Sequence, residues 1–172
     1  NIGRAGVSSR PLPTGTITNS GTISGTQRTS GSTVMLPRAI ELPGSGTFQI
    51  NNSGVINGSV TTGSGAVEIN NTGTINGAVT AAAGAATINN TGTIDGAVTL
   101  GSGNDIYILG QGATQAGAVA GGAGTDLISL GVAASATLRF SAAGGSGLLG
   151  ITQIETIRQT GSGLLISSGT LD

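Results

Sequence analysis

The sequence predicts an all-β chain wound as a parallel β-helix, a β-solenoid of about 19–21 residues per coil. Three observations predict it. A nine-residue motif recurs at a fixed interval, apolar residues alternate in short bursts, and the side chains are too small to fill a wide core.

The repeat comes first. Ile50-Asn51-Asn52-Ser53-Gly54-Val55-Ile56-Asn57-Gly58 returns as Ile69-Asn70-Asn71-Thr72-Gly73-Thr74-Ile75-Asn76-Gly77. It returns again as Ile88-Asn89-Asn90-Thr91-Gly92-Thr93-Ile94-Asp95-Gly96. The step is constant, from Ile50 to Ile69 and from Ile69 to Ile88. Val60, Val79 and Val98 keep it too. A period near 20 marks a stacked array. Helical repeats are longer and poor in glycine, and the leucine-rich signature is missing. An earlier unit, Ile17 to Gly25, lies well upstream of Ile50, so extra residues intervene. Pro37 and Pro43 place that insertion within 28–46 as a loop, because proline cannot donate to a strand ladder.

The alternation comes second. Val67-Glu68-Ile69, Thr74-Ile75-Asn76 and Ala78-Val79-Thr80 each switch between apolar and polar residues. Period two belongs to a strand with one buried face. Gly and Asn separate the bursts and suit tight bends. Stacked coils lie about 4.8 Å apart. The expected inward ladders are Ile50, Ile69 and Ile88; Ile56, Ile75 and Ile94; and Val60, Val79 and Val98. Asn52, Asn71 and Asn90 are expected to stack through their amides, as are Asn51, Asn70 and Asn89.

Composition is the third observation. Of 172 residues, 33 are glycine and only Phe48, Tyr107 and Phe140 are aromatic. A globule packs a wide core with large side chains; small aliphatics fill a narrow one. Charged residues make up 8% and the net charge is −1, with 37% hydrophobic residues. Disordered chains show the opposite balance.

The domain expectation is one solenoid over 1–172. Residues 1–13 are a candidate N-terminal cap, 48–104 form the regular coils, and 105–172 form longer, less regular ones. No apolar run is long enough for a membrane-spanning helix. The chain starts without Met or a signal-peptide pattern, and is expected to be a fragment of something longer.

Several functions lack their chemistry. There is no His and no Cys, which removes the usual zinc, copper and iron sites. It also removes the His-based nucleophile triads. The six basic residues are all arginines scattered along the chain, so no patch exists for nucleic acid. Gly101-Ser102-Gly103-Asn104-Asp105 recurs as Gly122-Ala123-Gly124-Thr125-Asp126, at a slightly longer step than the earlier repeat. With Gly121 this fits a calcium-roll pattern, making Asp105 and Asp126 candidate Ca²⁺ ligands. They occur once per coil, whereas Ca²⁺ takes six to eight oxygens. The competing expectation is a Gly-rich corner whose Asp accepts backbone N–H bonds. The same two carboxylates are the minimum for a glycosidase, but the chain lacks aromatic sugar platforms. The expectation is no enzyme, no cofactor and no small-molecule substrate. Thr72-Gly73-Thr74 and Thr91-Gly92-Thr93 make a two-row threonine array, too small for an ice-binding face.

The Gly101–Asp105 and Gly121–Asp126 segments and the Asn-Asn-Thr-Gly-Thr-Ile coils resemble passenger regions of autotransporter (type V secreted) outer-membrane proteins. The tail Ile154-Glu155-Thr156-Ile157-Arg158-Gln159-Thr160-Gly161-Ser162-Gly163-Leu164-Leu165-Ile166 is similar to the units that end many passengers. It departs from them in Gln159, where Lys is common, and in Leu164 or Leu165, where Trp is common. The resemblance covers most of 48–172. It implies a right-handed coil, a Gram-negative cell-surface or secreted location, and tethering through a C-terminal barrel outside this sequence. The expected role is a surface stalk or adhesin scaffold touching a host or neighbouring cell. The alternative is a filament or matrix subunit that self-associates end to end through open strand edges.

Overall fold

In this computed structural model the chain is described over residues 14–30, 33–42, 44–131, 151–152 and 156–160. Those residues form a parallel β-solenoid of about five turns, with no helix. The strands fall into three sheets, and the coils from Thr47 to Gly122 contribute one strand to each. The first sheet stacks Thr14–Asn19, Thr47–Asn52, Val67–Asn71, Ala86–Asn90, Ile106–Leu109, Leu127–Gly131 and Thr156–Thr160. The second stacks Thr22–Ser24, Val55–Asn57, Thr74–Ile75, Thr93–Ile94 and Thr114–Gln115. The third stacks Thr33–Leu42, Ser59–Thr62, Val79–Thr80, Val98–Gly101, Val119–Gly122 and Ile151–Thr152.

Residues one repeat apart lie in register. Ile50 pairs with Ile69 and Ile69 with Ile88. Ile56, Ile75 and Ile94 form a column in the second sheet, and Val60, Val79 and Val98 one in the third. All nine side chains are fully buried. Each such Ile or Val contributes roughly 1.5–3 kcal/mol by leaving water. A single coil has nothing to bury them against, so stability comes from stacking neighbours.

The corners are built as closely as the sheets. After each buried Asn of the first sheet the chain bends through Ser53-Gly54, Thr72-Gly73 or Thr91-Gly92. Two consecutive N–H groups there share one carbonyl below: those of Thr72 and Gly73 donate to Asn52 O at 2.8 and 3.1 Å. Coils approach so closely that a Cβ at Gly73 would collide with the Gly54 carbonyl oxygen. Only glycine fits that column.

The first coil differs from the loop insertion expected over 28–46. Thr26–Ser30 and Thr33–Leu42 form an antiparallel β-hairpin. The long second arm then turns parallel to Ser59–Thr62 and completes the coil. Its register shifts between Arg38 and Ile40, just past Pro37, which brings no N–H to the ladder. Thr26–Ser30 thus covers the outer edge of the third sheet. The Arg38–Glu41 ion pair on this arm (2.7 Å) is exposed and adds little. Residues 1–13, the candidate cap, and Pro43 lie outside the described residues. So does much of 105–172, including most of the tail that carries the family resemblance. Thr156–Thr160 within that tail is a strand, parallel to Leu127–Gly131.

Replacing Ile75 by Asp places a carboxylate between the second-sheet strands of two neighbouring coils. Chemical denaturation should show a loss of more than about 4 kcal/mol, the range reserved for buried unpaired charge. An unchanged midpoint would contradict the stacking.

Candidate functional site

The interior carries polar groups, and they are where chemistry would reside. Asn19, Asn52, Asn71 and Asn90 all point inward and are at most 6% exposed. Their amides form one directional chain. Asn19 Nδ2 donates to Asn52 Oδ1 (2.7 Å), Asn52 to Asn71 (2.7 Å) and Asn71 to Asn90 (2.8 Å). Each Nδ2 also faces carbonyls at its own bend or in the coil above: for Asn71, Gly73 O at 3.2 Å and Thr93 O at 3.1 Å. At the start and end of the chain the oxygen also accepts the N–H two residues on, as Asn90 Oδ1 does from Gly92 (3.1 Å). The column therefore satisfies buried corner groups that would otherwise cost about 1–3 kcal/mol each. Asn51, Asn70 and Asn89 form a second, outward row, with Asn70 Nδ2 donating to Asn51 Oδ1 (3.1 Å) and Asn89 to Asn70 (2.8 Å).

The amide column stops where the period changes. Asn90 pairs in register with Leu109, and Leu109 with Leu130. In the same coil Tyr107 takes the place of Ile88, and Gln115 that of Ile94. The Tyr107 hydroxyl donates to Gln115 Oε1 at 2.6 Å. Gln115 Nε2 donates to the Gly96 and Gly117 carbonyls, both at 2.9 Å. Burial pushes the Tyr107 phenol well above its ordinary value, with the Asn90 amide opposing. The ring stays neutral and acts as a core donor. Sequence reasoning did not single out this pair, although Tyr107 lies one regular repeat step beyond Ile88.

Asp105 and Asp126 also face inward. They continue the column of Phe48, Val67 and Ala86, and are 1% and 0% exposed. Their stacking explains an irregularity of the ladder. In earlier coils the N–H at this position donates to a backbone carbonyl, Phe48 to Ala66 O and Val67 to Ala85 O, both at 3.1 Å. Ala86 N–H donates to Asp105 Oδ1 (2.7 Å) instead, and Asp105 N–H to Asp126 Oδ1 (2.9 Å). Asn104 does the same outside, accepting Thr125 N–H at 2.9 Å. Side-chain oxygens replace carbonyls at this Gly-rich corner, while the extra length of the coil lies elsewhere, between Leu109 and Gln115.

Asp105 Oδ2 has no hydrogen-bond partner. Burial raises the Asp105 pKa above the ordinary 3.8; the Ala86 N–H opposes this and the nearby Asp126 adds to it. As possible cation ligands, the two carboxylates are enclosed and have one oxygen each tied to a backbone N–H. No group of three or more acidic, His or Cys side chains gathers among the described residues. A hard cation wants six to eight oxygens, and this pair offers few. The pair also faces the interior. The threonine rows are partly engaged, with Thr72 Oγ1 on Asn52 O (3.3 Å) and Thr91 Oγ1 on Asn71 O (3.5 Å).

Two outcomes follow from these interiors. Asn71→Leu keeps a side chain that the same column accepts at Leu109, but removes one bond each from the Asn52 and Asn90 amides and the side-chain donor of the Gly73 and Thr93 carbonyls. The expected loss is about 1–3 kcal/mol, read from denaturant midpoints. For Asp105, the folded chain holds the proton more tightly than the unfolded chain does. Stability is therefore fullest below the ordinary carboxylate value and declines as pH rises through the raised one. The melting temperature should fall as pH rises above the ordinary carboxylate value of 3.8, and Asp105→Asn should flatten that slope. A slope unchanged by the substitution would refute the assignment.

Compared with known protein families, curated proteins and solved structures, the chain matches none.

Proposed function

We propose that this chain is a non-enzymatic extracellular scaffold, a surface-exposed stalk or adhesin-like passenger segment of the autotransporter kind. The observation that carries the reading is the use of polar side chains. The buried Asn, Tyr, Gln and Asp groups of the interior bond to backbone or to one another, and serve to hold coil on coil. Among the described residues, chemistry-bearing groups are spent on stacking and leave no nucleophile, base and oxyanion donor converging on one point. Coils with nearest-neighbour contacts can fold one after another. That suits a chain exported unfolded and assembled outside the cell. The lack of cysteine is compatible with the same route.

The runner-up, end-to-end assembly into filaments, has one feature in its favour. Thr14–Asn19 and Thr22–Ser24 are the outermost described strands of their sheets. Among the described residues no strand pairs with their outer sides, and an open edge templates further strands. The third sheet contrasts with them, since Thr26–Ser30 runs antiparallel along its edge and carries Arg28.

Displaying the chain ahead of an outer-membrane barrel on Gram-negative cells tests the main reading. Antibody should label intact cells, and the coils should resist added protease. Retention inside the cell would overturn it. Electron microscopy of the purified chain at rising concentration separates the runner-up, which requires fibres. Melting with calcium and with chelator should give the same midpoint; a rise with calcium would restore Asp105 and Asp126 as ligands.

A further inference from the structure

We infer that Asn57 and Asn76 form a self-modification site, at which the folded protein converts asparagine to aspartate and isoaspartate without an enzyme. The corner between the second and third sheets stacks Ser24-Gly25, Asn57-Gly58, Asn76-Gly77 and Asp95-Gly96. Glycine is obligatory there. A Cβ at Gly77 or Gly96 would collide with the glycine backbone one coil below, and Gly58 also has φ +139°. The residue before each glycine faces solvent, and Asn57, Asn76 and Asp95 are all exposed. The fold thus places an exposed asparagine ahead of the one residue whose backbone nitrogen is unshielded by a side chain.

The hydrogen bonding favours reaction. Gly25 N–H is held by the Asn57 carbonyl at 2.9 Å. Among the described residues, Gly58 and Gly77 N–H make no such bond. Asn76 Nδ2 donates to Asn57 Oδ1 at 2.6 Å, which draws electron density from the Asn57 amide carbon. In the first step the Gly58 or Gly77 nitrogen attacks the Cγ of the preceding asparagine. A C–N bond forms, the C–NH₂ bond breaks, and ammonia leaves with the proton lost by the glycine nitrogen. Water then opens the resulting succinimide at either carbonyl, giving aspartate or isoaspartate.

The other asparagines are differently placed. Asn19, Asn52, Asn71 and Asn90 are buried, hydrogen-bonded and followed by Ser or Thr. Asn51, Asn70 and Asn89 precede another asparagine, and the exposed Asn104 precedes Asp105, whose N–H is held by Asp126 Oδ1 at 2.9 Å. The product already stands in the column, since Asp95 occupies the third repeat. Conversion of Asn76 sets a second carboxylate one coil from Asp95, and like charges directly opposite destabilise paired strands. Isoaspartate also lengthens the backbone at a corner with no slack.

Incubating the folded chain at mildly alkaline pH, followed by peptide mass mapping, tests the inference. Asn57 and Asn76 should convert at least about tenfold faster than the buried asparagines, which react only through local opening. Asn57→Ser, which copies Ser24 of the first coil, should abolish conversion at that coil and leave circular dichroism unchanged. Conversion spread evenly over all asparagines would overturn the inference. So would an inert folded chain whose unfolded form reacts at Asn57 and Asn76, because the corner backbone would then forbid the attack.

Discussion

Everything in this molecule depends on each coil lying in register on its neighbour. Side chains in a strand alternate faces, so a slip of one residue turns an entire inward set outward. No single strand here is long enough to hold its register alone; Thr74–Ile75 has two residues. Register is instead held jointly by three sheets and by the corners between them. At the Asn corner, the Gly54-Gly73-Gly92 column admits no other alignment, because a shifted neighbour brings a Cβ against a carbonyl.

Polar columns supply what apolar ones cannot. An isoleucine ladder is nearly indifferent to which isoleucine lies above. A buried amide must meet another amide or leave its groups unpaired at a real cost. The interior is consequently polar along its whole described length, through changing means: the Asn19–Asn90 column, then Tyr107 with Gln115, and Asp105 with Asp126. Asp105 is the least comfortable member. Its second oxygen is unpartnered, and burial raises its pKa above the ordinary carboxylate value. That discomfort is local: the Ala86 N–H holds one oxygen, while the other is buried beside Asp126.

How much of this could be read from residues alone depends on the period. Where it is constant, from Ile50 to Val98, the columns followed directly from counting, because equal spacing forces equal residues together. Where it changes, counting fails. The hairpin of the first coil was hidden because residues 28–46 break the period, and strand pairing inside an insertion leaves no periodic trace. Asp105 and Asp126 drew notice as oxygen ligands in a Gly-rich turn. Their facing was nevertheless encoded: Asp105 stands two residues before Tyr107, on the same side of an extended strand. Gln115 was the hardest to foresee. An amide at a position held by Ile56, Ile75 and Ile94 becomes tolerable only once Tyr107 supplies a partner one strand away.

The division of labour between inside and outside bears on what such a chain can do. Inward positions are constrained twice, by volume and by hydrogen bonding, and they change together, as where Tyr107 and Gln115 replace Ile88 and Ile94 in one coil. Outward positions are constrained only by the neighbouring glycine or strand. In the corner column the residue before glycine runs Ser24, Asn57, Asn76, Asp95 and Ala116, four residue types on one backbone. On the first sheet the outward residues pass from Gln49 and Glu68 to Thr87, Ile106 and Leu127. A solenoid can therefore rewrite its surface coil by coil without touching the ladders that hold it. The scaffold role proposed above would draw on this: it needs a long surface whose chemistry changes independently of its core.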